Sequence, residues 1–258
     1  MINDLEPKSA HTSHWKYVEG LTLSESLSIR DQSTLQSDLD EIQQWAEQND
    51  MRLNVKKCKE MVICFLRQSP DIVSLHINGN PLSIVSSFKV LGVTFNDLLK
   101  WNDNVNILVK KASKRLYILR ILQRCGVPSA DLLPDFLSVL EYACTVWHTS
   151  LPDYLSNKIE HVQKRALRVL YPGLHYIDDL QIFQIPRLDN RRRELCIKTF
   201  EKITKTNNRL NHLLPTREVA HGGTLRNKDC LSLPKYRTNR YKNSFIPAMC
   251  FELKNKLQ

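Results

Sequence analysis

Three groups in this chain have types and spacings that can do chemistry: a carboxylate in a tight turn, lysines around a cysteine, and a basic run at helical spacing. Glu19 lies in Trp15-Lys16-Tyr17-Val18-Glu19-Gly20-Leu21-Thr22-Leu23, where the alternation predicts two short strands around a turn at Glu19-Gly20. Two-metal phosphoryl transfer needs two divalent ions about 3.5–4 Å apart, held by converging carboxylates. Glu19 offers one carboxylate and Gly20 offers none; the plain alternative is an exposed Glu-Gly turn. Lys56, Lys57 and Lys59 flank Cys58 and can either meet a phosphate or form a solvated turn. Lys110, Lys111, Lys114 and Arg115, with Arg120 beyond, can track a phosphate backbone or serve as a solvated helix face. Tyr176-Ile177-Asp178-Asp179 sets two carboxylates side by side, but it follows Pro172-Gly173 and no apolar strand precedes it. Its aspartates are expected in the first turn of a short helix, opposing the positive helix end.

The elements that must position these groups change character along the chain. After the hairpin, residues 33–50 take helical spacing, with Ser33 or Thr34 as cap and Leu35, Leu39, Ile42, Trp45 and Ala46 on one face. Residues 61–65 read as a buried strand, 74–80 as a strand running into a turn, and 88–95 as another strand. From Trp101 the period is helical, with Val105, Leu108, Val109, Ala112, Leu116 and Leu119 as an apolar stripe that ends at Gly126-Val127-Pro128. Further helices are expected over 130–147, 153–170 and 187–205. Lys164, Arg165, Arg168 and the triplet Arg191-Arg192-Arg193 would extend the basic surface. Residues 216–258 show no clear period and are expected to be loosely ordered.

Composition narrows the classes. The 258 residues carry a net charge of +10, unevenly placed: residues 1–100 hold 10 basic and 13 acidic side chains, net −3, and the remainder is net +13. A basic second half calls for a polyanionic partner. No apolar run approaches a membrane span and the N-terminus has no apolar signal core, so an intracellular place, nucleus or cytoplasm, is expected, without secretion or membrane insertion. The seven cysteines are scattered without a Cys-x-x-Cys pair, which fits reduced thiols and not a zinc ribbon or a disulfide framework. There is no Gly-x-Gly-x-x-Gly, P-loop, Gly-x-Ser-x-Gly or His-Glu-x-x-His, and no His-x-Asp pair.

The segment Trp15 to Ser24 resembles the active-site hairpin of reverse transcriptases of LINE-type (non-LTR) retrotransposons, whose tip reads Tyr-x-Asp-Asp and binds the catalytic metal ions. Here Glu19-Gly20 replaces the two aspartates. An added methylene moves the Glu19 oxygens by more than ~1 Å, where site geometry is held to about 0.5 Å. The stretch Trp45-Ala46, then Met51 to Glu60, resembles the family's Trp…Leu-Asn…Lys-Thr-Lys segment, with Cys58 in place of threonine. That implies a nucleotide-facing role for Lys56, Lys57 and Lys59. Ser86 to Val93 resembles the Phe-x-Tyr-Leu-Gly-Val primer grip, a hairpin that implies roles for Phe88, Leu91 and Gly92, with Val90 in place of tyrosine. Trp101 and the basic helix Lys110, Lys111, Lys114 and Arg115 then fit the thumb.

The resemblance implies an α+β fold: a partial antiparallel palm sheet with one packed helix over 1–100, a basic helical thumb and post-thumb region over 101–215, and a basic tail over 216–258. The family uses Mg²⁺; with Glu19 a degenerate ligand and the upstream aspartate's region not matched, no functional metal and no independent polymerase activity are expected. RNA or DNA, bound without sequence preference, is the expected partner. A helical nucleic-acid-binding module is the second reading. Residues 109–124 also have a local likeness to the N-terminal part of an AlkB-type tRNA-modifying protein, which brings no cofactor ligands.

Overall fold

The structure is a computed structural model describing residues 4–18, 20–28, 31–67, 72–173, 176–205, 207–215 and 235–256. The chain forms two compact units, Met1–Lys100 and Trp101–Gln258.

The first unit is α+β. Strands β1 (Thr12–Tyr17) and β2 (Gly20–Glu25) pair antiparallel from Thr12 opposite Glu25 to Tyr17 opposite Gly20. Tyr17 and Gly20 are thus the last paired residues, so the turn begins one residue earlier than the sequence suggests and Gly20 opens the second strand. Val18 has φ +56°, a conformation that costs a β-branched residue about 1–2 kcal/mol. Helix α1 (Leu35–Gln48) buries Ile42, Ala46 and, among its polar residues, Asp38. Asp38 accepts hydrogen bonds from the Thr12 hydroxyl (2.5 Å) and the Ser9 amide (3.0 Å), so its carboxylate ties the helix to the start of β1. Thr34, the Ncap residue, makes no side-chain cap bond, whereas the Ser33 hydroxyl accepts from the Leu35 amide (3.3 Å). Glu25 at the end of β2 accepts from both hydroxyls and from the Thr34 amide, at 2.7–2.9 Å.

The other strands are short. β3 (Lys59–Glu60) pairs parallel with β6 (Ser83–Ile84), and β4 (His76–Ile77) pairs antiparallel with β5 (Asn80–Pro81) around Asn78-Gly79. Both turn residues have positive φ, as an Asn-Gly hairpin turn requires. Gln36 of α1 clamps β4 by donating to the His76 carbonyl (3.0 Å) and accepting from its amide (2.8 Å). The expected buried strand over 61–65 is absent, and Ile63 and Phe65 are exposed. The ladder stops because β6 ends at once: the Val85 amide bonds back to the Glu60 carbonyl (2.8 Å) and no described strand pairs with residues 61–65. The single strand read over 88–95 is a hairpin, β7 (Ser87–Val90) with β8 (Val93–Asn96), because Leu91 and Gly92 both take positive φ. The described strands form four two-stranded sheets, three antiparallel and one parallel, with no wider sheet among them.

The second unit is helical. α2 (Asn102–Arg124) packs on both α3 (Ser129–Glu141) and α5 (Asp153–Leu170) through Val105, Leu108, Ala112, Leu116 and Leu119. The helix expected over 130–147 is broken after α3. Ala143 turns left-handed (φ +49°), and α4 (Cys144–Trp147) resumes in a new direction. The break buries Trp147 and lets its indole N–H donate to the Tyr142 carbonyl (3.1 Å). α6 (Tyr176–Ile182) and α7 (Leu188–Ile203) follow. Buried Glu160 of α5 joins them by accepting the Tyr176 hydroxyl and the Leu188 amide (3.1 Å), which also satisfies the start of α7.

After a 3-10 turn, Asn211–Leu213, the expectation of a loosely ordered tail is overturned in part. Residues 216–234 lie outside the described residues. Beyond them α8 (Asn239–Lys242) and α9 (Phe245–Lys256) are regular, and Met249 and Cys250 are buried against Cys196 and Phe200 of α7. Apolar side chains at 245, 246, 249, 250 and 253 give α9 a face that burial stabilises.

Candidate nucleic-acid interface

α2 is long and one-sided. Its apolar stripe faces α3 and α5, which turns Lys110, Lys111, Lys114, Arg115, Arg120 and Arg124 outward, and all six are exposed. None makes an ion pair or hydrogen bond among the described residues. From Asn104 to Arg124 the helix holds no carboxylate. The result is an uncompensated positive rod about 21 Å long from Lys110 to Arg124, at 1.5 Å per residue. Exposed Tyr117, Ile118 and Ile121 lie among the charges and offer apolar surface beside them.

The arginine triplet of α7 does not extend this surface as the sequence suggested. Arg191 pairs with Glu141, its Nη2 lying 3.1 Å from Oε2. Arg193 pairs with Glu252 of α9 at 2.6 Å. Arg192 is wholly buried, over the Trp147 ring at 5.6 Å, with Nη2 donating to the Ser156 hydroxyl (2.9 Å) and Nε to His148 Nδ1 (3.4 Å). All three serve packing. A helix starting at Leu188 places 191, 192 and 193 on three different sides, something a triplet in sequence conceals. Lys164 lies over the Tyr176 ring at 5.6 Å, while Arg165 and Arg168 have no partner among the described residues.

In the first unit the proposed nucleotide-facing lysines sit on a turn and a strand. Lys56 and Lys57 are exposed in the turn closed by the Lys57 amide on Asn54 (2.9 Å). Lys59, on β3, reaches the Ser83 hydroxyl at 3.3 Å. Phe88 is partly exposed and Leu91-Gly92 forms the exposed tip of the β7–β8 hairpin. Trp15 and Tyr17 share the open face of β1.

The Mg²⁺ implied by the resemblance has no described carboxylate at the β1–β2 tip to hold it. Glu19 lies outside the described residues, and Gly20 carries no donor. A Cβ built on Gly20 would meet the Tyr17 carbonyl oxygen at 3.3 Å, a tight approach for any side chain there. Asp178 and Asp179 fall in the first turn of α6, as their neighbours suggest, and not on a strand pair. Among the described residues no group of three or more His, Cys, Asp or Glu converges on a common point. Burial pushes the Cys250 thiol up to about 11, so it is an inert core group and not a nucleophile. No helix among the described residues is long and apolar enough to cross a membrane.

No protein-family model matches the chain, and no solved structure matches it. It is similar to the RNA-directed DNA polymerase from the mobile element jockey of Drosophila melanogaster, 23% identical over 238 residues, which is 89% of this chain and 25% of that protein. It is similar also to the RNA-directed DNA polymerase from mobile element jockey of Drosophila funebris, 24% identical over 185 residues, 68% of this chain and 20% of that protein. The chain thus spans a quarter or less of the length of these curated relatives. The similarity runs through both units, and it supports a reverse-transcriptase-related origin.

Proposed function

We propose that this chain corresponds to the last palm strands, thumb and post-thumb helices of a non-LTR retrotransposon reverse transcriptase, and that it binds RNA or DNA without catalysing nucleotidyl transfer. The observation that carries the binding reading is the rod of six exposed, unpaired cations on α2, with no carboxylate after Asp103. Such a surface binds by releasing counterions from phosphates, which needs no base readout. The hairpin tip Leu91-Gly92 and the Lys56–Lys59 turn are the elements that would meet a primer end and a nucleotide. Loss of catalysis is supported by Glu19-Gly20: one carboxylate a methylene too long and one position without a ligand cannot hold two ions at the required spacing.

Purified protein with Mg²⁺, a primed template and deoxynucleotides is expected to give no incorporation above a mock preparation, and the Glu19→Asp/Gly20→Asp variant is expected to give none either. Incorporation by the unaltered chain would sink the inactive reading. Binding to a labelled duplex should weaken steeply between 50 and 200 mM salt. Replacing Lys110, Lys111, Lys114 and Arg115 by Ala should lower the slope of log affinity against log salt by about 3 to 4. An unchanged slope would remove α2 from the interface.

A further inference from the structure

We infer that the solvent side of the α2–α5 seam forms a second wall of the binding track, with Arg165 and Arg168 of α5 holding the phosphodiester backbone of a nucleic-acid strand. The inference rests on α2 being a nucleic-acid surface. The register between the helices is fixed at two points. Asn102 Nδ2 donates to the Tyr154 hydroxyl at 2.7 Å and Lys158 Nζ donates to Asn106 Oδ1 at 2.6 Å, each pair 52 residues apart. Beside them Trp101 Nε1, just before α2, donates to the Ser150 hydroxyl just before α5 (2.6 Å). The two helices therefore run parallel and in step.

Following that register along the seam, α5 presents Tyr154, Lys158, His161, Arg165 and Arg168 at steps of four, three, four and three residues. α2 presents Asn106, Lys110, Ser113, Tyr117 and Arg120 at the same kind of step. Residues spaced so share one helix face. At an offset of 52, small Ser113 lies level with Arg165, and exposed Tyr117 lies a step beyond Arg168. The seam carries no accessible carboxylate past its first turn: after Asp153, α5 has only Glu160, which is buried and engaged by Tyr176 and Leu188.

Among the described residues Arg165, half-buried, has no hydrogen-bonding or ionic partner, although a guanidinium in that position ordinarily finds a carboxylate. A phosphate would complete it. From Lys158 to Arg168 the charges extend roughly 15 Å, the length of four to five stacked nucleotides. Tyr117 offers a ring against which a base or sugar can pack. A line of cations in a groove suits a strand, whereas a lipid surface asks for a broad apolar plane.

The full chain is titrated with a fluorescein-labelled 20-nucleotide oligo(dT) between 50 and 200 mM salt. The Arg165→Ala/Arg168→Ala pair should lower the salt slope by about 1.4, and the Arg165→Lys/Arg168→Lys pair should keep it, since a point charge still neutralises a phosphate. Lys198→Ala/Lys202→Ala, an equal loss of charge on α7, should leave the slope unchanged. If the Arg-to-Ala pair changes nothing while the α2 quadruple variant lowers the slope, the seam is wrong and the α2 reading stands. If neither alters it, both fail. An equal drop in the α7 pair would overturn the inference in favour of net charge. A loss confined to vesicles containing phosphatidylserine, with oligo(dT) binding intact, would overturn it in favour of a lipid surface.

Discussion

At the scale of single residues, the second unit hides a cation and an imidazole that control each other. Arg192 is wholly buried with no carboxylate hydrogen-bonded to it among the described residues, and its Nη1 has no hydrogen-bond partner there. Its Nε donates to His148 Nδ1, which requires that nitrogen to be unprotonated. Burial, and then the charge of Arg192, push the His148 pKa down to about 4, with Arg193 adding to the effect and Asp189 opposing it. A histidine freed by unfolding titrates near 6.5, so the unfolded chain takes up a proton that the folded chain refuses. Above pH 6.5 the folded state keeps its full stability. Between pH 6.5 and about 4 it loses up to about 3 kcal/mol, at 1.36 kcal/mol per pKa unit. Urea unfolding at pH 7.0 and 4.5 measures this. His148→Gln, which can still accept from Arg192, should show a clearly smaller fall, and an equal fall in both proteins would discard the assignment.

At the scale of elements, what was legible depended on whether packing agreed with local pattern. α5 runs from Asp153 to Leu170 as its spacing predicts, because its apolar period is regular, Pro152 precedes it and Tyr171-Pro172-Gly173 stops it. The kink at Ala143 left no mark in the sequence, since an alanine at positive φ is imposed by the burial of Cys144 and Trp147. The two parts of the candidate interface differ in the same way. The basic face of α2 follows directly from helical period, whereas the fate of Arg191, Arg192 and Arg193 depends on Glu141, Ser156, His148 and Glu252, which lie 36 to 59 residues away. α9 was missed because Pro247 reads as a breaker, yet it is the third residue of the helix, where no intrahelical N–H is lost. Its burial makes a prediction. Met249→Ala opens a cavity among Cys196, Phe200 and Cys250 and should cost about 2–4 kcal/mol in urea unfolding. A loose tail would tolerate the change within about 0.5 kcal/mol, so that outcome would remove α9 from the core.

At the scale of the whole molecule, apolar burial and charge are divided along the same boundary. Among its described residues the first unit buries Leu5, Ile42, Ala46, Ile77, Leu82 and Val93, while Trp15, Tyr17, Val18, Phe65, Val73 and Leu91 are among those exposed. Its strands stand in pairs, and an isolated two-stranded pair is marginal in water. The second unit buries Trp147, Phe200, Leu116, Leu140, Leu155, Ile159, Leu167 and Leu188 at under 2% exposure, in helices that satisfy their own backbone. Burial of about 25 cal/mol per Å² makes that difference worth several kcal/mol. The unit that carries the net positive charge is thus also the one with the deeper core, and a binding surface on α2 and α5 rests on the more rigid support. Hydrogen exchange on the full chain reads this out. Amides of β1–β2 and β7–β8 should exchange at least about 100-fold faster than those at the centres of α2, α5 and α7, since each tenfold is about 1.4 kcal/mol of opening free energy. Protection of the hairpins equal to that of α5 would mean that the first unit is held by contacts that its own core does not supply.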